Sequence, residues 1–92
     1  MPLSDIPVGE ARSATVGDRE IIVARPDQSS AVAFSAICTH QGCTVAPADD
    51  KLRCPCHGST YETLTGQVVS GPAPERLNEV PVQVSNGTVV TA

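Results

Sequence analysis

The chain has 92 residues, six basic and ten acidic side chains, a formal charge of −4, and two aromatic residues, Phe34 and Tyr61. This length fits one domain whose core must be built almost wholly from aliphatic side chains. Such a core is expected to be marginal, so a cross-link or a metal is expected as further support. No basic stretch could follow a phosphate backbone, which argues against a nucleic-acid partner, and no apolar run approaches the roughly 20 residues of a membrane helix.

Short β-strands are predicted in the first part of the chain, where helical periodicity is weak. Residues 13–16 and 19–25 predict a hairpin around the turn dipeptide Gly17-Asp18. Residues 31–37 predict a third strand, which leads directly into the first group of cysteines.

A second hairpin is predicted near the other end of the chain. Residues 77–85 and 88–91 flank Asn86-Gly87, a dipeptide that favours a two-residue type I′ turn. The pattern therefore predicts a single all-β domain over residues 1–92. Its base strands lie in about 1–37 and 75–92, and the intervening residues, about 38–74, form an insertion of loops.

The insertion contains all four cysteines and both histidines of the chain. A Cys and a His close together in each of two compact loops is spacing typical of metal ligands. Two alternatives remain open. One is a pair of disulfides with incidental histidines, which would leave the placement of both histidines to chance. The other is a tetrahedral zinc site formed by four of the six Cys and His side chains. The two groups read Cys38-Thr39-His40-Gln41-Gly42-Cys43 and Cys54-Pro55-Cys56-His57-Gly58-Ser59-Thr60-Tyr61.

These two groups resemble the paired cluster-binding boxes of Rieske proteins, and Gly71-Pro72-Ala73-Pro74 is similar to the proline loop of that family. The resemblance implies a Rieske-like fold of small antiparallel sheets with a cluster-binding subdomain of two loops. It also implies a 2Fe-2S cluster with two thiolates on one iron and two imidazoles on the other. Carried over by position, the implied ligands are Cys38, His40, Cys54 and His57.

The resemblance further implies a disulfide between Cys43 and Cys56, which would tie together two loops that have few core contacts of their own. Rieske ferredoxins and oxygenase components generally lack these two cysteines, whereas the quinol-oxidising, high-potential cytochrome bc-type proteins have them. In that group the hydroxyls matching Ser59 and Tyr61 donate hydrogen bonds to cluster sulfurs, which stabilises the reduced state and raises the potential. Without the flanking ligands, Ser59 would be interpreted as a turn hydroxyl and Tyr61 as a packed aromatic.

The function implied by the resemblance is one-electron transfer near the tips of the loops that carry His40 and His57, with quinol or redox proteins as partners. Reduction should favour proton uptake on an imidazole, and a midpoint potential unchanged between neutral and alkaline pH would contradict this hypothesis. Alternatives are a Rieske subunit of an arsenite oxidase-like enzyme and a ferredoxin component of an oxygenase system. An oxygenase itself would need further histidines. Gln41 departs from the leucine common in respiratory complexes, which weakens the expectation of quinol docking.

A disulfide also favours an oxidising compartment, so we expect the extracytoplasmic face of a membrane or a periplasm-like compartment. Proteins of this kind are typically exported folded, and residues 1–10 lack the basic then apolar pattern of a signal peptide. A removed N-terminal signal or anchor is therefore expected, with Met1 not the natural start. A cytoplasmic protein is the alternative. Gly58 and Gly71 are expected to allow tight backbone geometry near the cluster.

Overall fold

A computed structural model describes residues 1–37, 43–48, 50–56, 58–71 and 75–92. The elements are a 3-10 helix at Leu3–Asp5 and the strands β1 (Ala11–Val16), β2 (Arg19–Ala24), β3 (Val32–Ser35), β4 (Ala46–Ala48), β5 (Lys51–Arg53), β6 (Thr60–Glu62), β7 (Val68–Ser70), β8 (Val82–Ser85) and β9 (Thr88–Thr91). The strands pair antiparallel in three small sheets, ordered β1-β2-β3, β4-β5-β6-β7 and β8-β9. This arrangement confirms the predicted all-β class.

Both predicted hairpins form. β1 and β2 are joined through Gly17-Asp18, with Val16 paired to Arg19. β8 and β9 are joined through Asn86 and Gly87, whose φ angles of 52° and 75° match a type I′ turn. β8 begins later than the sequence suggests because Pro81, immediately before it, has no N–H to donate to a ladder.

Residues 38–74, for which the sequence predicted loops, contain the four-stranded sheet β4-β5-β6-β7. Each of these strands has only three residues, too few for a periodic pattern to be visible in the sequence. Pro47 lies in β4, which is an edge strand and so tolerates a residue without an N–H. The candidate site therefore rests on a sheet of its own.

The buried side chains form two clusters. One cluster lies between the base strands and the second sheet, and it includes Phe34 of β3 together with Leu52, Cys54 and Tyr61. The other packs the β8-β9 hairpin and the N-terminal segment against the base sheet. Cys54 and Tyr61 thus belong to the same core as the base strands, which fixes the second sheet relative to the first. Among the described residues no helix has the length and apolar character needed to cross a membrane.

Gly66, in the turn between β6 and β7, lies directly against the ring of Phe34. Its φ is +71°, and a Cβ atom there would lie 2.9 Å from Cδ1 of the Phe34 ring. We expect Gly66→Ala to lower the free energy of unfolding by about 2 kcal/mol or more, because it adds backbone strain to core overpacking. Urea denaturation measures the loss. The matched control is Gly17→Ala, with φ +64° and no atom within 4 Å; equal losses in the two variants would contradict the role of the Phe34 contact.

Candidate metal centre

The residues on either side of the first group of cysteines are paired to each other through their backbones. Ile37 and Thr44 form an antiparallel bridge, and the N–H of Val45 donates to the carbonyl of Ala36 at 2.6 Å. Val45 is fully buried, so this closure is anchored in the core. The chain is therefore held on both sides of residues 38–43.

The second loop is a tight connection between β5 and β6. The N–H of Cys54 donates to the carbonyl of Ser59 at 2.8 Å, and the N–H of Gly58 donates back to the carbonyl of Cys54 at 3.0 Å. Gly58 has φ +74°, a conformation that L side chains rarely adopt. These bonds fix Cys54 and Ser59 opposite each other at the base of the loop.

A disulfide between Cys43 and Cys56 joins the two loops, with a Cα–Cα distance of 6.4 Å and a sequence separation of 13 residues. It is the pairing that the family resemblance implied. Cys54 remains a free thiol. The alternative of two disulfides with incidental histidines is thereby contradicted, because it requires Cys54 to be bonded.

The Cys54 thiol belongs to a group of cysteines that lie close enough together to hold a metal ion. Its sulfur lies within 4.8 Å of the sulfurs of Cys43 and Cys56, and its side chain is only 1% exposed. Cys43 and Cys56 are withdrawn from ligation by their own bond, which leaves the Cys54 sulfur as the one of these three that can bind a metal. Within the described part of the chain, Cys54 is the free cysteine, and its soft sulfur donor fits an iron-sulfur group.

Three of the four predicted ligands, Cys38, His40 and His57, lie outside the described residues, as do Gln41 and residues 72–74. Of the predicted ligand set the structure thus places Cys54.

The two hydroxyl side chains singled out from the sequence are both buried beside Cys54. Ser59 and Tyr61 are each 0% exposed. Among the described residues, Ser59 is the one polar residue that is buried, while Tyr61 is a buried aromatic that carries a hydroxyl. Tyr61 lies on β6 opposite Leu52 of β5, and its ring packs in the core that also contains Cys54. Buried hydroxyls are nearly always hydrogen-bonded, so both positions are specified by polar contacts as well as by packing.

The backbone after β7 approaches Ser59 more closely than any residue with a side chain could. Gly71 has φ +97°, and a Cβ atom there would lie 2.5 Å from Cα of Ser59 and 2.8 Å from its Oγ. Next to this contact the hydroxyls of Thr60 and Ser70 share a hydrogen bond of 2.8 Å. The sequence predicted tight backbone geometry at Gly71 but not which residue it contacts, because Ser59 and Gly71 lie at the ends of two different strands.

A small all-β domain with a buried free thiol beside a disulfide that joins two loops is the arrangement that the resemblance to Rieske iron-sulfur proteins implied. The family model described as Rieske [2Fe-2S] domain matches residues 1–81, and the chain belongs to this family. The cofactor of the family is a 2Fe-2S cluster, in which two histidines replace two cysteines on one iron.

Known relatives and solved structures agree with this assignment. The chain is 40% identical over 93 aligned positions to the cytochrome b6-f complex iron-sulfur subunit of Chlorobaculum tepidum, covering 99% of this chain and 50% of that protein. Its fold is similar to that of the cyanobacterial plasma membrane Rieske protein PetC3 from Synechocystis PCC 6803, with a TM-score of 0.82, 26% identity, and 99% and 94% of the two chains covered.

The fold is shared beyond the cytochrome complexes. The ferredoxin of carbazole 1,9a-dioxygenase from Nocardioides aromaticivorans IC177 matches with a TM-score of 0.73 at 23% identity, covering 100% of this chain and 92% of that chain, which shows likeness of fold alone. The chain spans about half the length of the cytochrome b6-f subunits it matches.

Proposed function

We propose that this chain is a high-potential one-electron carrier that accepts electrons from quinol in a membrane-bound complex of the cytochrome bc or b6-f kind. The observation that carries the proposal is the Cys43–Cys56 disulfide beside the buried thiol of Cys54. This combination matches the high-potential group to which the sequence is similar. The relatives named as cytochrome b6-f subunits support the same conclusion.

The proposed ligands are Cys38 and Cys54 through sulfur and His40 and His57 through nitrogen. A bound 2Fe-2S cluster supplies a redox centre that takes up one electron at a time. The chain shields and positions the site. The core that buries Cys54 keeps water from its sulfur. The Cys43–Cys56 bond holds the two loops at a fixed separation. A rigid, dry site changes little when the charge changes, which favours fast electron transfer.

The hydroxyls of Ser59 and Tyr61 are proposed to tune the potential by donating hydrogen bonds to sulfur. Both are fully buried, and Ser59 lies in the same loop as Cys54. Donors aimed at sulfur stabilise the reduced, more negative state. The potential should therefore fall when either hydroxyl is removed.

We also propose that residues 1–92 act as one domain, with base strands in about 1–37 and 75–92 and a cluster-binding part in about 38–74. The three antiparallel sheets support this division, since the second sheet falls within 38–74. The proposed partners are quinol on the donor side and a redox protein on the acceptor side. The proposed location is the extracytoplasmic face of a membrane, where the disulfide would persist.

Reduction by ascorbate tests the proposed function. Ascorbate is a mild reductant, so a high-potential carrier is reduced by it fully and dithionite then adds no further change to the visible spectrum. Counting electrons during an anaerobic titration should give one per chain. A protein that only dithionite reduces would contradict the quinol-linked role and indicate the ferredoxin alternative.

A further inference from the structure

We propose that Gly71 is a positioning residue: its lack of a side chain lets the backbone after β7 lie directly on Ser59, and this contact fixes the Ser59 hydroxyl and, through it, the reduction potential. The inference rests on the proposed function, because it deepens the tuning role given there to Ser59. It assigns a role to a residue that binds no ligand itself.

The contact leaves no room for a methyl group. A Cβ atom on Gly71 would lie 2.5 Å from Cα, 2.8 Å from Oγ and 3.0 Å from N of Ser59. Distances below 3.0 Å are not found for real Cβ atoms, and here the nearest atom belongs to the backbone rather than to a flexible side chain. Any larger residue must therefore displace Ser59, Gly71 or both.

Neither backbone is free to retreat. The carbonyl of Ser59 accepts the N–H of Cys54 at 2.8 Å, which ties the Ser59 backbone to the backbone of Cys54. On the other side, Thr60 and Ser70 are paired across β6 and β7, and their hydroxyls share a 2.8 Å hydrogen bond. The neighbours of Ser59 and Gly71 in the chain are thus bonded to each other. This pairing keeps the backbones of Ser59 and Gly71 close together.

The register of β6 and β7 places Gly71 beside Ser59. In an antiparallel ladder that pairs Thr60 with Ser70, the next residues outward are Ser59 and Gly71. Thr60 pairs with Ser70 while Tyr61 pairs with Val68, so Val69 is an extra residue on β7 and forms a bulge. Bulges bend a strand and redirect the residues beside them. Val69 is 46% exposed, so this extra residue lies outside the core.

The displacement expected in a variant acts on a buried polar group. Ser59 is 0% exposed, so its hydroxyl cannot exchange a lost protein partner for bulk water. A shift of its Oγ weakens whatever hydrogen bond it donates, and a weaker bond to sulfur lowers the potential. Gly66 offers a contrast, because a Cβ atom there would strike the Phe34 ring, which carries no polar atom.

The test is a double-mutant cycle on the potential of the cluster-loaded chain, using Gly71→Ala, Ser59→Ala and the double variant. We expect Ser59→Ala to lower the equilibrium constant for reduction about tenfold, which corresponds to about 59 mV for one electron. Gly71→Ala should shift the potential in the same direction, with a changed EPR line shape. In the Ser59→Ala background the Gly71→Ala substitution should give no further shift.

Two controls separate positioning from loss of stability. Gly66→Ala overpacks the core and should lower stability without moving the potential, and Gly17→Ala adds the same kind of backbone strain at a remote turn. If Gly71→Ala fails to fold, Ser70→Ala removes the neighbouring hydrogen bond without adding atoms. Ser70→Ala should lower the potential in the wild-type background and not in the Ser59→Ala background.

Three results would overturn the inference. The first is an unchanged potential in Gly71→Ala, or in Ser70→Ala if Gly71→Ala does not fold. The second is a shift of the potential by that substitution that is equally large in the wild-type and Ser59→Ala backgrounds. The third is an unchanged potential in Ser59→Ala. The last would remove the tuning role and leave electron transfer standing. Failure of the proposed function is distinguishable from all three, since it appears in the wild-type chain as the absence of a 2Fe-2S spectrum.

Discussion

Cys54→Ser is expected to abolish cluster binding, with complete loss of visible absorption and of the EPR signal of the reduced protein. Cys54 is the buried free thiol beside the disulfide, and a hydroxyl is a poor ligand for iron in an iron-sulfur group. Absorption spectra and iron analysis of the purified variant measure the loss.

Ser59→Ala is the matched control for Cys54→Ser. Ser59 lies in the same loop and is equally buried, but it is proposed to tune the site rather than to ligate iron. The control should retain iron and colour. A Cys54→Ser variant with the wild-type spectrum would contradict the ligand assignment.

Removing the disulfide with Cys43→Ala and Cys56→Ala together is expected to cost about 3 kcal/mol of stability, since in the unfolded chain the bond closes a loop between cysteines with a sequence separation of 13. The larger effect should be on retention of the cluster, because two loops that are no longer joined can separate. The half-life of the visible absorption at raised temperature should fall by tenfold or more, and urea denaturation reports the stability.

Arg12→Gln serves as the control for the disulfide variant. Its ion pair with Glu10 is 3.3 Å long and exposed, so its loss should change stability by less than about 1 kcal/mol. An equal half-life in the disulfide variant and the wild type would show that the loops are held by other contacts.

The parts of the fold that the sequence predicted are those set by local chemistry. Gly17-Asp18 and Asn86-Gly87 define their hairpins because the turn residues themselves determine the backbone path. The strands β4 to β7 were not predicted, since three residues carry too little pattern. They are held by cross-strand pairs such as Leu52 with Tyr61, which only the tertiary structure brings together.

The candidate site divides in the same way. The metal-ligand spacing of the Cys and His residues is visible in the sequence, but residue spacing alone left the pairing of the cysteines open. Family resemblance supplied the Cys43–Cys56 pairing, and the structure confirms it. The contact of Gly71 with Ser59 could not be predicted, because it depends on the register between β6 and β7 and on how closely two backbones pack.

An EPR-monitored redox titration of the purified chain tests the central proposal most directly. We expect one reducible 2Fe-2S signal that takes up one electron, with a midpoint potential in the upper part of the Rieske range of roughly −150 to +300 mV. A cluster with a potential near the about −400 mV of plant-type ferredoxins, or a colourless, EPR-silent sample that contains zinc, would contradict it.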